Sequence, residues 1–213
     1  MIDVYVLVST IISFIFAIWI FERYIKNKKP KNLFWGIGLI FMTLAFLSMF
    51  YAQYYSWNID LYKFYNFSST ILVLLLGLGT IYLFNNQKFS MYSLIYSVLV
   101  IIIFTIVNFS ATINATTLLS STANAMPAYV TGIGMLLIIP GAIALILGAF
   151  YSAYRLRHTK NAIVYNSLIG LGALVFSAVG SAALINNYAL YYSGQMIGVI
   201  LMFLGFLKSI DII

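Results

Sequence analysis

The ionisable side chains of this chain are few, and their positions limit the chemistry it can perform. Its 213 residues include one histidine, no cysteine and four acidic residues. The histidine, His158, lies among basic residues and has no second histidine for haem ligation or a multi-histidine metal site. The sequence holds no carboxylate pair, no nucleophile paired with a base and no glycine-rich phosphate loop. We therefore expect no enzyme activity, no catalytic residue and no bound metal or cofactor.

Neutral polar residues inside apolar stretches are the remaining candidates for a binding site. Ser93 and Ser97 are four residues apart and share one helix face. Other such groups are expected to line a cavity for a neutral or weakly polar solute: Tyr65, Ser69, Asn166 and Gln195. The simpler interpretation is hydrogen bonding between helices, worth about 0.6 kcal/mol per bond on average. The sequence alone favours this simpler interpretation.

The pair Pro140-Gly141 lies in the middle of an apolar stretch. Proline has no backbone N–H and therefore removes one helical hydrogen bond, which bends a helix at that point. Pro140 is thus a candidate hinge.

Composition indicates where these residues are placed. Only 7% of the residues are charged and 63% are hydrophobic, whereas soluble domains carry roughly 25% charged residues. The apolar stretches have the length of membrane-spanning helices, about 20 residues, and lack the alternation of barrel strands. We predict an all-α integral membrane bundle of seven transmembrane helices that forms one domain. The predicted spans are Val4–Phe21, Leu33–Tyr54, Phe64–Phe84, Ser90–Val107, Tyr129–Ala153, Ala162–Leu184 and Tyr188–Leu207.

Basic residues predict the orientation of this bundle, because lysine and arginine are concentrated in cytoplasmic loops. With the N-terminus outside and the C-terminus in the cytoplasm, Lys63 is the one basic residue among 11 that lies outside. Asp3 precedes the first span and basic residues follow it, which predicts an uncleaved helix instead of a signal peptide. We expect a multi-pass protein of the plasma membrane. The cytoplasmic segments then hold Arg23, Lys26, Lys28, Lys29, Lys31, Lys88, Arg155, Arg157, Lys160 and Lys208.

The longest predicted loop, at about 109–127, lies outside. It contains Asn114-Ala-Thr116, which fits the acceptor pattern for N-glycosylation. Asn114 is the candidate acceptor because it is farthest from the membrane. The same pattern occurs at Asn66-Phe-Ser68 and Asn108-Phe-Ser110, and both lie nearer to the membrane.

An internal repeat is predicted from landmarks that recur in order. A basic loop follows the first helix of each set, and Ile37-Gly38-Leu39 matches Ile169-Gly170-Leu171. In the third helices, five residues align without gaps: Tyr62, Tyr65, Val73, Leu75 and Gly79 with Tyr188, Tyr191, Val199, Leu201 and Gly205. Repeat 1 covers about 1–84, a linker helix about 89–108 and repeat 2 about 128–213. A single linking helix makes the two repeats parallel, related by an axis along the membrane normal.

This three-plus-one-plus-three layout resembles the SWEET sugar transporters and the seven-helix opsins. The resemblance covers span count, repeat order and orientation. It carries no functional residue over, because span 1 lacks a proline–glutamine motif and span 7 lacks a lysine for retinal. Trp35-Gly-Ile-Gly-Leu39 and Met202-Phe-Leu-Gly-Phe-Leu207 also resemble small prokaryotic seven-span proteins, those of archaea included, that have no assigned activity.

Several partners and functions stay open at this point. Lys26, Lys28, Lys29 and Lys31 are expected to attract anionic lipids of the inner leaflet, at about 1 kcal/mol per charge. The net charge of +7 does not indicate nucleic acid, because the charges flank membrane helices. The chain is a candidate transporter or channel-like protein. The alternatives are a non-catalytic subunit of a membrane complex or a sensor, either of them compatible with a homo-oligomer or with other membrane subunits.

Overall fold

A computed structural model describes residues 2–84, 86–114, 118, 125–155, 160–180 and 187–209. These residues form seven α-helices and one short 3-10 helix, Tyr82–Phe84, and no strand. The prediction of an all-α, seven-helix bundle is therefore confirmed. In chain order the helices are α1 Ile2–Asn27, α2 Pro30–Tyr55, α3 Ile59–Ile81, α4 Gln87–Ser110, α5 Ala128–Arg155, α6 Lys160–Ala178 and α7 Tyr188–Ser209.

Six of these helices have the length and hydropathy needed to cross a membrane, and α6 is the exception. The chain is thus a multi-pass membrane protein. The apolar part of α6, Ile163–Ala178, rises only about 24 Å at 1.5 Å per residue, less than the roughly 30 Å of a hydrocarbon core. The predicted sixth span continues to Leu184, but residues 181–186 lie outside the described ranges.

Three helix starts have a clear local cause. The side chains of Asn58 and Asn86 each accept a hydrogen bond from the backbone N–H three residues later, which caps α3 and α4. Pro30 begins α2, where its missing N–H removes no helical bond. The connections before α2 and α3 are short, so consecutive helices turn back on each other.

Six helices close into a ring, and α4 lies outside it. Neighbouring helices pack in the order α1, α2, α3, α5, α6 and α7, and α7 packs back against α1. Helix α4 contacts only the outer side of α3 and α5 to a substantial extent. The predicted linker helix is therefore a peripheral helix of the bundle.

The two ends of the ring differ in chemistry. One end, called the tyrosine end, holds the α2–α3 connection and the start of α7, with Trp57, Tyr62, Tyr65, Tyr188, Tyr191 and Tyr192. The other, called the basic end, holds the α1–α2 connection and the end of α5, with Arg23, Lys26, Lys28, Lys29, Lys31, Lys88 and Arg155. Between the two ends, the described helices carry no charged residue.

The ring is filled towards the basic end by large apolar side chains. Phe16 is buried and packs its ring 5.4 Å from that of Phe203 and 5.1 Å from that of Phe206. Ile20 is buried in the same cluster, which continues through Met42 at mid-helix to Phe46 in the half nearer the tyrosine end. The guanidinium of Arg23 lies over the Phe206 ring at 4.9 Å from its centroid. The interior at this end is therefore closed by packed side chains.

Candidate solute-binding site

A pair of tyrosine hydroxyls joins opposite sides of the ring at the tyrosine end. The hydroxyl oxygens of Tyr65 on α3 and Tyr191 on α7 are 2.8 Å apart, and either can donate. Both side chains keep part of their surface accessible. Trp57 lies 5.2 Å from Tyr65 between ring centroids, and Tyr192 lies 5.2 Å from Tyr191. The result is an aromatic cluster that surrounds two hydroxyl groups.

Three side chains at or near this cluster carry buried polar atoms that lack a hydrogen bond of good geometry. They are the Gln195 Oε1, the Ser68 Oγ and both amide atoms of Gln53. Gln195 lies beside the Tyr191 hydroxyl and Gln53 beside that of Tyr192. Ser68 is one helical turn from Tyr65, on the same face. An unsatisfied buried polar group costs about 1–3 kcal/mol of stability, so an additional polar partner for these atoms would be favourable.

The structure brings together some of the residues predicted to line a cavity. Tyr65 and Gln195 both border the aromatic cluster. Ser69, four residues after Tyr65, donates its hydroxyl to the Asn66 carbonyl of its own helix. It is half-buried and lies on the same face of α3 as Tyr65.

Asn166 lies apart from this group. Its neighbour Tyr165 packs its carbonyl against Gly205, near the end of α7 at the basic end. Gln195 is ten residues before Gly205, which corresponds to about 15 Å along the helix. Asn166 and Gln195 are therefore at different depths of the bundle and do not form one site.

Comparison with protein-family models, with curated proteins and with solved structures found no match to this chain. No residue of the aromatic cluster therefore inherits a role from a relative. The cluster combines hydroxyl and amide groups, which supply donors and acceptors, with aromatic faces, which supply apolar contact. Such a mixture is typical of small-molecule sites.

A polar clasp ties the end of α4 to the start of α3. Asn108 is fully buried; its amide donates to the Lys63 carbonyl at 3.0 Å and its Oδ1 accepts from the Asn66 amide at 2.8 Å. Lys63 donates to the Phe109 carbonyl at 2.9 Å. The acceptor asparagines of two of the three glycosylation patterns, Asn66 and Asn108, are thus hydrogen-bonded to each other. Asn114 is exposed.

Pro140 in α5 frees a carbonyl group that α4 satisfies. The carbonyl of residue 136 normally accepts from the N–H of residue 140, which proline lacks. The Tyr96 hydroxyl of α4 donates to this Leu136 carbonyl at 2.8 Å. Pro140 stands out in the sequence as a hinge candidate, whereas Tyr96 does not. A proline in a membrane helix does predict an unpaired carbonyl four residues earlier, and that carbonyl needs a donor from a neighbouring helix.

We expect Tyr96→Phe to lower the free energy of unfolding by about 1 kcal/mol, because the Leu136 carbonyl loses its donor. In a Pro140→Ala background the restored N–H supplies that donor, so the same substitution should cost almost nothing. Unfolding in mixed detergent micelles measures this double-mutant cycle. Tyr92→Phe, on the same helix and also exposed, is the control. An equal cost of Tyr96→Phe in both backgrounds would contradict the assignment.

Proposed function

We propose that this protein is a transporter for a small neutral or weakly polar solute, built from two parallel three-helix repeats with α4 as the link. The observation that carries the proposal is the group of buried neutral polar side chains, Gln53, Ser68 and Gln195, whose hydrogen bonds are incomplete around the Tyr65–Tyr191 pair. These atoms offer both donors and acceptors but no charge. The preferred solute therefore hydrogen-bonds through hydroxyl or amide groups and carries no net charge.

Glycine contacts at corresponding places support the repeat. A Cβ placed on Gly38 of α2 would lie 3.3 Å from the Leu72 carbonyl of α3, and one on Gly172 of α6 would lie 2.7 Å from the Gly198 carbonyl of α7. Leu72 and Gly198 have the same separation in sequence as the two paired tyrosines, 126 residues. The second and third helices thus approach each other alike in both halves.

A second set of contacts follows the same correspondence. A Cβ on Gly36 would lie 2.9 Å from the Phe21 ring of α1, and one on Gly170 would lie 3.2 Å from the Phe150 ring of α5. The packing order of the ring also fits a two-fold relation, because the α3–α5 and α7–α1 contacts are equivalent under it. This pairing shifts the sequence alignment by two residues, so that Gly36 corresponds to Gly170.

The solute path follows from this symmetry. Tyr65 and Tyr191 correspond to each other, and their direct contact favours a place for them on the axis between the repeats. A path along that axis would begin at the tyrosine cluster, and the packed rings of Phe16, Phe203 and Phe206 block it towards the basic end. Transport then requires a second arrangement of the repeats, for which Pro140 in α5 is the proposed hinge.

The basic end is proposed to face the cytoplasm of a plasma-membrane protein. Among the described residues, Lys63 is the one basic side chain at the tyrosine end. Lysine and arginine placed in this way favour a cytoplasmic basic end. The exposed Lys26, Lys28 and Lys29 would then meet anionic headgroups.

A non-catalytic subunit of a membrane complex is the second candidate. The packed apolar interior towards the basic end favours it, because a solid bundle needs no path for a solute. Helix α4 would then present its exposed face to another chain. In either case the proposed role includes no chemical reaction.

The test is solute uptake by purified protein in liposomes. We expect faster uptake of at least one of glycerol, erythritol and glucose than in empty liposomes. Gln195→Leu should slow that uptake about tenfold, because losing a hydrogen bond to the solute costs about 1.4 kcal/mol. Tyr55→Phe, an exposed tyrosine at the same end, should leave the rate unchanged.

Two outcomes would contradict the transporter proposal. One is uptake of all three solutes at the rate of empty liposomes. The other is an equal rate in wild type and Gln195→Leu, which would separate transport from this site. Co-purification of a fixed set of membrane proteins, together with absent uptake, would support the subunit instead.

A further inference from the structure

A deep groove on the lipid-facing side lies between α4 and α5, with the end of α3 as its floor. It is called the α4–α5 groove here, and its main part has a volume of about 680 Å³. Its walls are almost entirely apolar, and an adjoining part of about 260 Å³ extends it past Tyr96. The main part is lined by Ile81, Phe84, Phe89, Ser93, Ile139, Pro140, Ile143, Ala144, Leu147, Gly148 and Tyr151.

The dimensions of the groove fit one leaflet of a bilayer. Along α5 it runs from Ile139 to Tyr151, which corresponds to about 18 Å at 1.5 Å per residue. A hydrocarbon core is about 30 Å thick, so one leaflet contributes about 15 Å. The hydroxyl of Tyr96 is already used by the Leu136 carbonyl. The groove therefore offers an apolar chain the length of one leaflet, with little to attract a polar solute.

Two basic side chains flank the mouth of the groove at the basic end. Lys88 directly precedes the lining residue Phe89, and Arg155 is one helical turn beyond the lining residue Tyr151. Both are exposed, and neither makes an ion pair with another described residue. The rings of Phe84 and Tyr151 lie 5.2 Å apart and close the floor between them.

We propose that the α4–α5 groove is a specific site for one anionic phospholipid of the leaflet at the basic end. One acyl chain lies in the groove as far as Pro140, and the phosphate lies between Lys88 and Arg155. Charge complementarity and the length of the groove together select this occupant. Basic pockets between membrane helices recognise lipid headgroups in the same manner. The site is separate from the tyrosine cluster and does not depend on the proposed transport.

Native mass spectrometry of the purified protein with added lipid tests the site. The probes are phosphatidylglycerol and phosphatidylcholine with identical acyl chains. We expect one tightly held phosphatidylglycerol per chain. Lys88→Glu/Arg155→Glu should weaken it at least tenfold relative to wild type, because two favourable charges are reversed. Ala144→Phe fills the groove and should weaken the binding of both lipids.

The control is Lys28→Glu/Lys29→Glu, an equal charge reversal at the same end on the α1–α2 connection. It should leave the tightly held lipid in place. Thermal unfolding of each variant separates loss of lipid from loss of fold. Equal phosphatidylglycerol binding by wild type, both charge variants and Ala144→Phe would overturn the proposal. So would a lipid-free dimer that Ala144→Phe dissociates, because the groove would then hold a second copy of the chain.

Discussion

Replacing Gly141 by valine should separate α5 from α3 and lower the free energy of unfolding by about 3 kcal/mol. A Cβ at this position would lie 2.6 Å from the Val73 carbonyl oxygen and 2.7 Å from the Leu74 Cα. Both are backbone atoms of a packed helix, which cannot rotate away as a side chain can. Overpacking a tight contact costs about 1–3 kcal/mol and occasionally more. The backbones also meet from the other side, where a Cβ on Gly77 would contact Gly141.

Gly132→Val is the matched control, because it lies in the same helix and a Cβ there meets nothing within 4 Å. It makes the same change in helix propensity and is exposed. The measurement is unfolding in mixed detergent micelles, together with the elution profile of the purified protein. Equal losses for the two valine variants would show that helix propensity, and not the α3–α5 contact, sets the cost. Partial relief with Gly141→Ala is expected, since alanine adds one carbon instead of three.

The presence and order of the helices were predictable, and their ends to within about six residues, but their arrangement in the membrane was not. A charge in mid-membrane costs about 2.5–3.5 kcal/mol for insertion, so charged residues mark helix ends reliably. To predict which helices are neighbours, the sequence of each helix must show which of its faces packs against protein and which faces lipid. Helices that are apolar all round, such as α4, provide almost none in sequence. The position of α4 outside the ring follows from packing contacts, which no span-by-span pattern contains.

Small residues predicted helix contacts better than polar residues did. Gly77, Gly79, Gly172, Gly198 and Gly205 all lie where helix backbones approach closely, as patches of small residues indicate in membrane proteins. Gly180 and Gly132 are different, since a Cβ on either meets nothing within 4 Å. A glycine in an apolar stretch therefore predicts a contact only in some cases, and its partner helix has to be seen.

The candidate site was predictable only in part. Tyr65 and Gln195 stand out as polar groups in apolar stretches, and both lie at the aromatic cluster. Asn166 is likewise a polar residue in an apolar stretch, but it lies about 15 Å farther from the tyrosine end than Gln195, because α6 runs in the opposite direction to α7. Gln53 falls at the last turn of α2, where it is easily mistaken for a residue at the membrane surface.

Asn108 differs from its expected position at the edge of a loop. It is fully buried within α4 and completes the clasp to α3. The helix continues to Ser110, so the following loop begins after it. The signal available in sequence was the apolar run before Asn108, which has no helix-stopping residue. The hydrogen-bond partners of Asn108 were not predictable, since Asn66 and Lys63 are more than forty residues away in the sequence.

The proposed orientation predicts an all-or-none difference between two single cysteines. The chain has no cysteine of its own, so each introduced thiol is the only one. Asn114→Cys at the tyrosine end should react with a membrane-impermeant maleimide on intact cells. Lys28→Cys at the basic end should react only after the membrane is permeabilised. Both positions are exposed, so accessibility within the protein is equal and the bilayer alone makes the difference.

Gln87→Cys at the start of α4 provides an independent position at the basic end, and it should behave as Lys28→Cys does. Reaction of Lys28→Cys and Gln87→Cys on intact cells, with Asn114→Cys protected, would invert the orientation and turn the tyrosine cluster towards the cytoplasm. A solute would then meet that cluster from inside, and the lipid groove would face the outer leaflet. The side from which a solute reaches the tyrosine cluster and the leaflet that supplies the bound lipid therefore both depend on whether the basic end faces the cytoplasm.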